Sequence, residues 1–506
     1  MSRLKTPLLS HLIGCRRISK TMQSLKTGFA QNISESLALL FLTVALSGCM
    51  VGPDYHRPAL DMPKSFHFEQ KEALRTADTL WWKEFKDPVL NSLINEALAD
   101  NMSVKAAAAN VEQAAGILTQ TRAPLFPQIT YDGQAAKARE SASQLGPLSA
   151  FIPNPASSFD LIGGASWEID LWGRLRRLTE AARADLLASE QAKRGVILSL
   201  VASVASSYLQ LRGLDEQLEI ATSTLSTYAK SVKLFELQYA HGQVSMMTVE
   251  QARSQYETVA AEIPQLESQI VQTENALCVL LGKNPGPVKR GQPLSRISIP
   301  AIPQGLPSEL LERRPDLAQA EQNLIAANAQ IGAAKALYFP AISLTAALGV
   351  QSSQLSDLFE GPARVWNYAG SFTGPIFTAG LISGQVEQAK ALREAALQEY
   401  KNAIISAFSD VENSLIARTK LYEQLQAQQR LVVALKNYDR LAWMQYNGGY
   451  TSYLTVLTAE EQLFPAELTC AQVRASELVA FVNIYKAMGG GWVNRAERLT
   501  STPSKR

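Results

Sequence analysis

The sequence predicts a mostly α-helical fold with a membrane β-barrel part, written twice in one tandem-duplicated chain. Three observations carry this. From Gly173 to Tyr239 there is no proline and only two interior glycines, Gly195 and Gly213. Apolar residues recur there mostly three or four apart (Ile197, Val201, Val204, Tyr208, Leu211, Leu218, Leu225, Val232, Phe235), the stripe of helices packed side by side. About 65 helical residues would span roughly 98 Å, the length of a strut. Second, the stretch recurs. Tyr239-Ala240-His241-Gly242-Gln243-Val244-Ser245 is answered by Tyr446-Asn447-Gly448-Gly449-Tyr450-Thr451-Ser452, and at the same offset Gly173, Thr248-Val249, Ala252 and Gly282 match Gly380, Thr455-Val456, Ala459 and Gly489. Third, short segments with a period of two precede each strut, the pattern of strands with one apolar face.

Taken in order, residues 1–48 read as a secretory signal, with Met22 a more ordinary start than Met1. Its apolar core, Ser36 to Leu46, is too short to span a bilayer as a helix. The core ends in Leu46-Ser47-Gly48-Cys49, which resembles the lipobox of bacterial lipoproteins. That resemblance implies cleavage before Cys49 and lipid on its thiol and new amino group, a stable anchor when several acyl chains act together. Met50 follows instead of the aspartate that resembles an inner-membrane retention signal, which favours the outer membrane. Residues 49–85 form the lipidated N-terminal segment.

Composition narrows the function. Charged residues make up 19% and the formal net charge is +2, which gives no argument for nucleic acid. Of four cysteines, Cys15 leaves with the signal, Cys49 takes lipid, and Cys278 and Cys470 read as small core residues. His56, His67 and His241 are too scattered for a zinc site. No phosphate loop, nucleophile elbow or paired acid motif is present, so the chain reads as neither an enzyme nor a cofactor protein.

Each copy, residues 86–282 and 308–490, follows one plan. An alanine-rich helix (Val104 to Arg122; Pro315 to Leu337) stops at Phe126-Pro127 or Phe339-Pro340. Alternating strands follow: Gln128 to Gly133 (the weaker pattern), Ala165 to Leu171, Ile342 to Leu348, and a segment in which Trp366, Tyr368 and Phe372 share parity. No later apolar run has transmembrane-helix length, which favours strands in the membrane. Then come the strut, a glycine-bearing turn and a return helix (Ser245 to Leu281; Thr451 to Met488) containing Pro264 or Pro465. The return helix and the next helix, laid end to end, span about 90 Å. That places the Pro- and Gly-rich residues 283–307 partway up as an ordered belt, with a short helix at Glu309-Leu310-Leu311. Residues 491–506 lack an apolar pattern and read as a disordered tail. Four strands cannot close a barrel; two chains would give eight strands and a filled interior, three would give twelve and a lumen.

In this order, the elements resemble the TolC/OprM outer-membrane efflux duct family over essentially the whole mature chain. The nearest pattern is its NodT-like lipoprotein branch, which pairs with resistance-nodulation-division pumps. The hallmarks are Gly52-Pro53-Asp54-Tyr55-His56-Arg57-Pro58, Ser166-Trp167-Glu168-Ile169-Asp170-Leu171-Trp172-Gly173-Arg174, Leu311-Glu312-Arg313-Arg314-Pro315-Asp316 and Ala326-Ala327-Asn328-Ala329-Gln330-Ile331-Gly332. The resemblance implies a homotrimer in outer-membrane lipid, with one shared twelve-stranded barrel and a periplasmic helical tunnel. It also implies two partners, a periplasmic adaptor (membrane fusion protein) and an inner-membrane pump of that class. Substrate would pass through unchanged.

Carried over residue by residue, the resemblance places adaptor contacts at the turns around Gly242, Val244, Gly449 and Tyr450. It places a periplasmic gate at Leu454, with Thr455, Thr458 and Glu461. Related ducts often carry aspartate at the position of Thr458, can carry arginine at that of Glu461, and place an acid at that of Thr455. The acidic ring is thus not carried onto this chain, and the gate rests on an apolar Leu454 ring that closes by dewetting. Tyr446 and Tyr450 read as buried in the bundle. A protein-secretion duct shares the architecture, and a non-conducting coiled-coil scaffold would explain the struts but not the strands.

Overall fold

The computed structural model describes residues 50–59, 80–141, 153–299, 311–489 and 492–500. The signal segment, Cys49, residues 300–310 with Glu309 and Leu310, and the last six residues lie outside these. The described chain contains helices α1 (Pro88–Asp100), α2 (Met102–Arg122), α3 (Arg174–Ala240), α4 (Met246–Leu280), α5 (Pro315–Ala336), α6 (Leu381–Asn447), α7 (Tyr453–Ala487) and α8 (Trp492–Thr500). Strands are β1 (Gln128–Ala138), β2 (Ala156–Ile169), β3 (Ala341–Ser352) and β4 (Arg364–Thr373). Struts α3 and α6 both have 67 residues, and return helices α4 and α7 both have 35. Each of these second-copy helices starts 207 residues after its counterpart (Arg174 and Leu381, Met246 and Tyr453), so from strut to return helix the duplication is kept residue for residue. Pro264 and Pro465 lie inside unbroken helices.

Two compact units divide the chain. The first takes the described parts of residues 1–55, 118–181 and 327–391. Its sheet is antiparallel, in the order β1-β2-β3-β4. Strands β1 and β2 are longer than their alternating patterns, running on through Gln134 to Ala138 and back to Ala156. The ladder from Gln128↔Ser166 to Ala138↔Ala156 holds these Gly-, Ser- and Ala-rich stretches by backbone bonds, which apolar patterning does not report.

Three sequence hallmarks converge in this unit. Residues 50–55 form an extended strap, with the Val51 N–H donating to Trp172 O at 3.1 Å. Gly52 has φ +105°, and a Cβ there would lie 2.4 Å from Gly332 Cα, so both positions need glycine. Arg177, 1% exposed, pairs with Asp54 at 2.7 Å and Glu180 at 2.8 Å and donates to Val51 O at 3.3 Å. Asn328 Nδ2 donates to Pro53 O at 2.9 Å. At the end of β2, the Asp170 carboxylate accepts the Leu175 and Arg176 N–H groups at 3.0 and 2.9 Å, capping α3. Trp172 stacks on Phe339 at 4.6 Å and donates to Pro340 O at 2.8 Å, locking β2 to β3.

The second unit takes the described parts of residues 56–117, 182–326 and 392–506. Asp87 caps α1 through the Val89 N–H at 2.8 Å and accepts the Tyr208 hydroxyl at 2.7 Å and the Gln292 N–H at 3.2 Å. The described part of the belt is tied down further by Arg290 to Asp215 at 3.0 Å and by Arg212 to Gln292 O at 3.0 Å. Pro315 opens α5 as expected of the first helical turn. The preceding Arg314 is buried, reaching Asp316 at 2.7 Å, Asp410 at 3.0 Å and Ala487 O at 3.0 Å. Cys278 and Cys470 are free thiols.

Two expectations are corrected. Residues 492–500 of the tail form α8, not a disordered end. Trp492, Val493 and Ala496 are buried on one side of it, and Trp492 meets Trp81 at 6.0 Å and Trp82 at 5.4 Å edge to face. Glu497 holds Lys193 at 2.9 Å and Arg194 at 3.1 Å. The core that receives α8 lies in Trp81, Trp82 and Phe85, some 400 residues earlier. In addition, an 18-residue window of α3 reaches mean hydropathy 1.3 and is by length and composition apolar enough to cross a membrane. Of that window 56% is buried within the protein, so helix packing accounts for its apolarity.

Truncating Trp492 to alanine should cost about 3–5 kcal/mol, because its ring fills a closed aromatic cluster. The expected outcome is loss of α8 protection in hydrogen exchange and a lower melting temperature of the detergent-solubilised protein. Unchanged exchange in residues 492–500 would show that the tail is not held by this ring.

Candidate functional site

Both struts end in the same backbone device. Gly242 (φ +71°) donates to Tyr239 O at 2.9 Å while Gln243 donates to Gln238 O at 2.8 Å. Gly449 (φ +74°) donates to Tyr446 O at 3.0 Å while Tyr450 donates to Gln445 O at 2.9 Å. These paired bonds satisfy the last helical carbonyls and need a left-handed residue, which only glycine adopts without cost. A Cβ at either glycine would meet nothing within 4 Å, so backbone angle, not crowding, sets the residue type. The chain re-enters a helix at Met246 or Tyr453.

One core joins the two tips. Phe235, Val249, Ala252, Ala442, Tyr453, Val456, Leu457 and Ala459 are buried together, with Val232, Trp443 and Tyr446 packed against them. Phe235 and Tyr453 meet at 4.5 Å, and Tyr446 lies 5.9 Å from Tyr453. Tyr446 thus packs as expected. Tyr450 does not: it is 86% exposed, and only its backbone braces the turn. Its ring lies over Gly448 at the end of the strut, where an added Cβ would come within 2.8 Å of it. Gly242 and Gly449 are exposed and Val244 is half-buried.

On α7, opposite faces differ. Tyr453, Val456, Leu457, Glu460 and Phe464 are buried, whereas Leu454 is 58% exposed and Glu461 is exposed. Leu454, Thr458 and Glu461 follow one another at helical spacing on the outer stripe. More than half of Leu454 is therefore left uncovered by its own chain. The Thr458 hydroxyl turns back to Leu454 O at 2.9 Å, and Thr455 Oγ1 lies 2.6 Å from Thr451 Oγ1. Gln255 Nε2 donates to Glu461 Oε1 at 3.1 Å, tying α4 to α7. The counterpart of Leu454 in the first copy is Met247, 69% exposed, which sequence reasoning passed over. The repeat offset was the signal that could have found it.

Glu460 was also missed. It is 4% exposed inside the tip core, where helical spacing from Tyr453, Val456 and Phe464 could have placed it. Burial is the main cause that pushes its carboxyl up to about 7; the Asp439 charge acts in the same sense, and hydrogen bonds from Trp443 and Tyr453 oppose it. Burial likewise raises the Tyr453 and Tyr228 phenols, with Glu460 adding to both. Cys49 lies outside the described residues.

Glu460 binds a proton more tightly in the folded tip than at its ordinary value of 4.5. Its contribution to tip stability is therefore fully present below about pH 4.5 and is lost as pH rises towards 7, by at most about 3 kcal/mol. Protection factors of residues 446–464, taken relative to the intrinsic exchange rate at each pH, should be lower at pH 8 than at pH 5, and Glu460→Gln should flatten that difference. A pH response identical in both proteins would remove Glu460 as its source.

Comparison with known proteins adds relatives to this geometry. The family model described as outer membrane efflux protein matches residues 93–283 and 306–490. The toluene efflux pump outer membrane protein TtgF of Pseudomonas putida is 37% identical over 465 residues, covering 90% of this chain and 96% of that protein. The cation efflux system protein CusC of Escherichia coli is 35% identical over 458 residues, covering 89% and 98%. The MtrE outer membrane channel of Neisseria gonorrhoeae, solved in its open state, superposes with TM-score 0.79 at 31% identity, covering 90% and 100%.

Proposed function

The chain belongs to the outer membrane efflux protein family, and from that premise we propose that three copies assemble into one gated conduit. The protein is an outer-membrane efflux channel whose helices form a periplasmic tunnel. In the proposed assembly each copy contributes four strands to a twelve-stranded barrel, and α3 and α6 to the tunnel wall. Family members of this kind are transporters, and the chain's chemistry is passage without reaction. The partners we assign are a periplasmic adaptor, received at the turns around Gly242, Val244, Gly449 and Tyr450, and an inner-membrane pump. Cys49 carries the lipid anchor in this reading.

The observation that carries the gate is the exposure of Leu454. A leucine 58% exposed on a helix whose other face is tightly packed leaves most of its apolar surface uncovered by its own chain. Threefold symmetry would bring three copies together as an apolar constriction, with Thr455, Thr458 and Glu461 around it. Because Thr458 is uncharged and turns back onto its helix, the constriction shuts by excluding water. Relatives named for toluene and for cations are 37% and 35% identical to this chain. We therefore assign the choice of cargo to the pump.

In planar bilayers the trimer should be mostly closed, and Leu454→Ala should raise its open fraction several-fold. Conductance unchanged from the parent would sink the Leu454 gate. Cys49→Ser should shift the protein towards weaker membrane retention on fractionation; equal retention would assign anchoring to the strands alone.

A further inference from the structure

The joint between the two copies inside one chain is the template for the joint between chains. We propose that β4 of one chain pairs antiparallel with β1 of a second copy in one register, Ile376 opposite Ile129. This rests on the multi-chain barrel proposed above and adds which residues face each other.

Equivalent strands are set by the hairpins. Gln128↔Ser166 is the first pair of β1–β2, and Ala341↔Thr373 is the first pair of β3–β4. Thr373 stands 207 residues after Ser166, the same offset as the helices, and Ala341 stands 213 after Gln128. The joint between copies is β2–β3, running from Ile169↔Ile342 to Phe159↔Ser352. Moving Ile169 forward by the first offset gives Ile376, and moving Ile342 back by the second gives Ile129. The same operation sets Gly374 opposite Tyr131, Thr373 opposite Asp132, Phe372 opposite Gly133 and Ser371 opposite Gln134.

Three independent observations agree with this register. First, Ile376 is 104% exposed and Ile129 is 83% exposed, and among the described residues β1 and β4 each have a strand on one side only. Second, the faces match. Residues directly opposite share a face, and the register sets Ile129, Tyr131 and Gly133 against Ile376, Gly374 and Phe372, while Thr130, Asp132 and Gln134 face Pro375, Thr373 and Ser371. A slip of one residue would set each apolar side chain against the polar face. Third, large side chains stand opposite glycines on this face of the observed sheet, as in Gly133↔Leu161, Gly163↔Leu348 and Leu344↔Gly370. The proposed joint repeats this with Phe372 over Gly133 and Tyr131 over Gly374.

The register also accounts for an asymmetry. Strand β2 extends to Ile169, three residues past its first partner on β1, because Trp167, Glu168 and Ile169 pair with Leu344, Ser343 and Ile342. Strand β4 stops at Thr373. Its missing three residues, Gly374 to Ile376, are those the second copy would hold. Pro375 has no N–H, which removes at most one bond at a strand end.

The test is disulfide trapping in the full-length protein in outer membranes, with Cys278 and Cys470 changed to serine throughout. Ile129→Cys combined with Ile376→Cys, and separately Gly133→Cys with Phe372→Cys, should give covalent dimers and trimers on mild oxidation. Yield should exceed that of the slipped pair, Thr130→Cys with Ile376→Cys, by at least about tenfold, because opposed Cβ atoms alone meet disulfide geometry. Equal linking in the slipped pair, or no linking in either matched pair while native sizing still shows trimers, overturns the register and leaves the conduit reading intact. Absence of any assembly in the unoxidised parent overturns both.

Discussion

An edge strand carries a row of N–H and C=O groups, and hydrocarbon offers them no partner. The sheet in this chain has two such edges, β1 and β4, 11 and 10 residues long. Its outward side chains are apolar and aromatic: Tyr131, Trp366, Tyr368 and Phe372 are all more than two-thirds exposed. In water that surface would aggregate; in an outer membrane it is solvated, while the edges remain unsatisfied until another chain supplies them.

The hallmark motifs owe their residue types to one close packing arrangement. Gly52 lies against Gly332, Arg177 is sealed between Asp54, Glu180 and the strap carbonyls, and Gly173 (φ +78°) leaves room for Met50. A buried guanidinium is tolerable only when its donors are satisfied, and here two carboxylates and two carbonyls do so. The strap thus follows directly on the cysteine read as the lipid site and bonds to the turn that starts α3.

Much of this was legible because duplication gives each element a second witness. The struts, turns and return helices fell where Gly173, Gly242 and Gly282 and their counterparts placed them, since helix ends demand left-handed residues. The last five residues of β1 and the first nine of β2 were not legible: a ladder of backbone bonds holds Ala, Gly and Ser there despite their low strand propensity. Residues that pack across the chain were equally hidden, as Trp492 was until its partners at Trp81 and Trp82 were known. Glu460 was hidden for the opposite reason, because a charged residue reads as solvated unless its neighbours on the helix face are tracked.

Duplication preserved backbone better than chemistry. Where α7 buries Glu460 among Tyr453, Trp443 and Tyr228, the matching position on α4 is Arg253, exposed and paired with Glu236 and Glu250 at 2.9 and 2.8 Å. Exposed pairs of this kind contribute little, whereas a carboxyl forced to share an apolar core changes its preferred protonation state. The two tips therefore share one core but not one response. Of the two helices that begin there, α7 carries both the exposed Leu454 and, six residues on, the buried acid on its other face. One helix thus carries an exposed leucine on one face and a carboxyl held against its ordinary protonation on the other, a combination the first tip lacks.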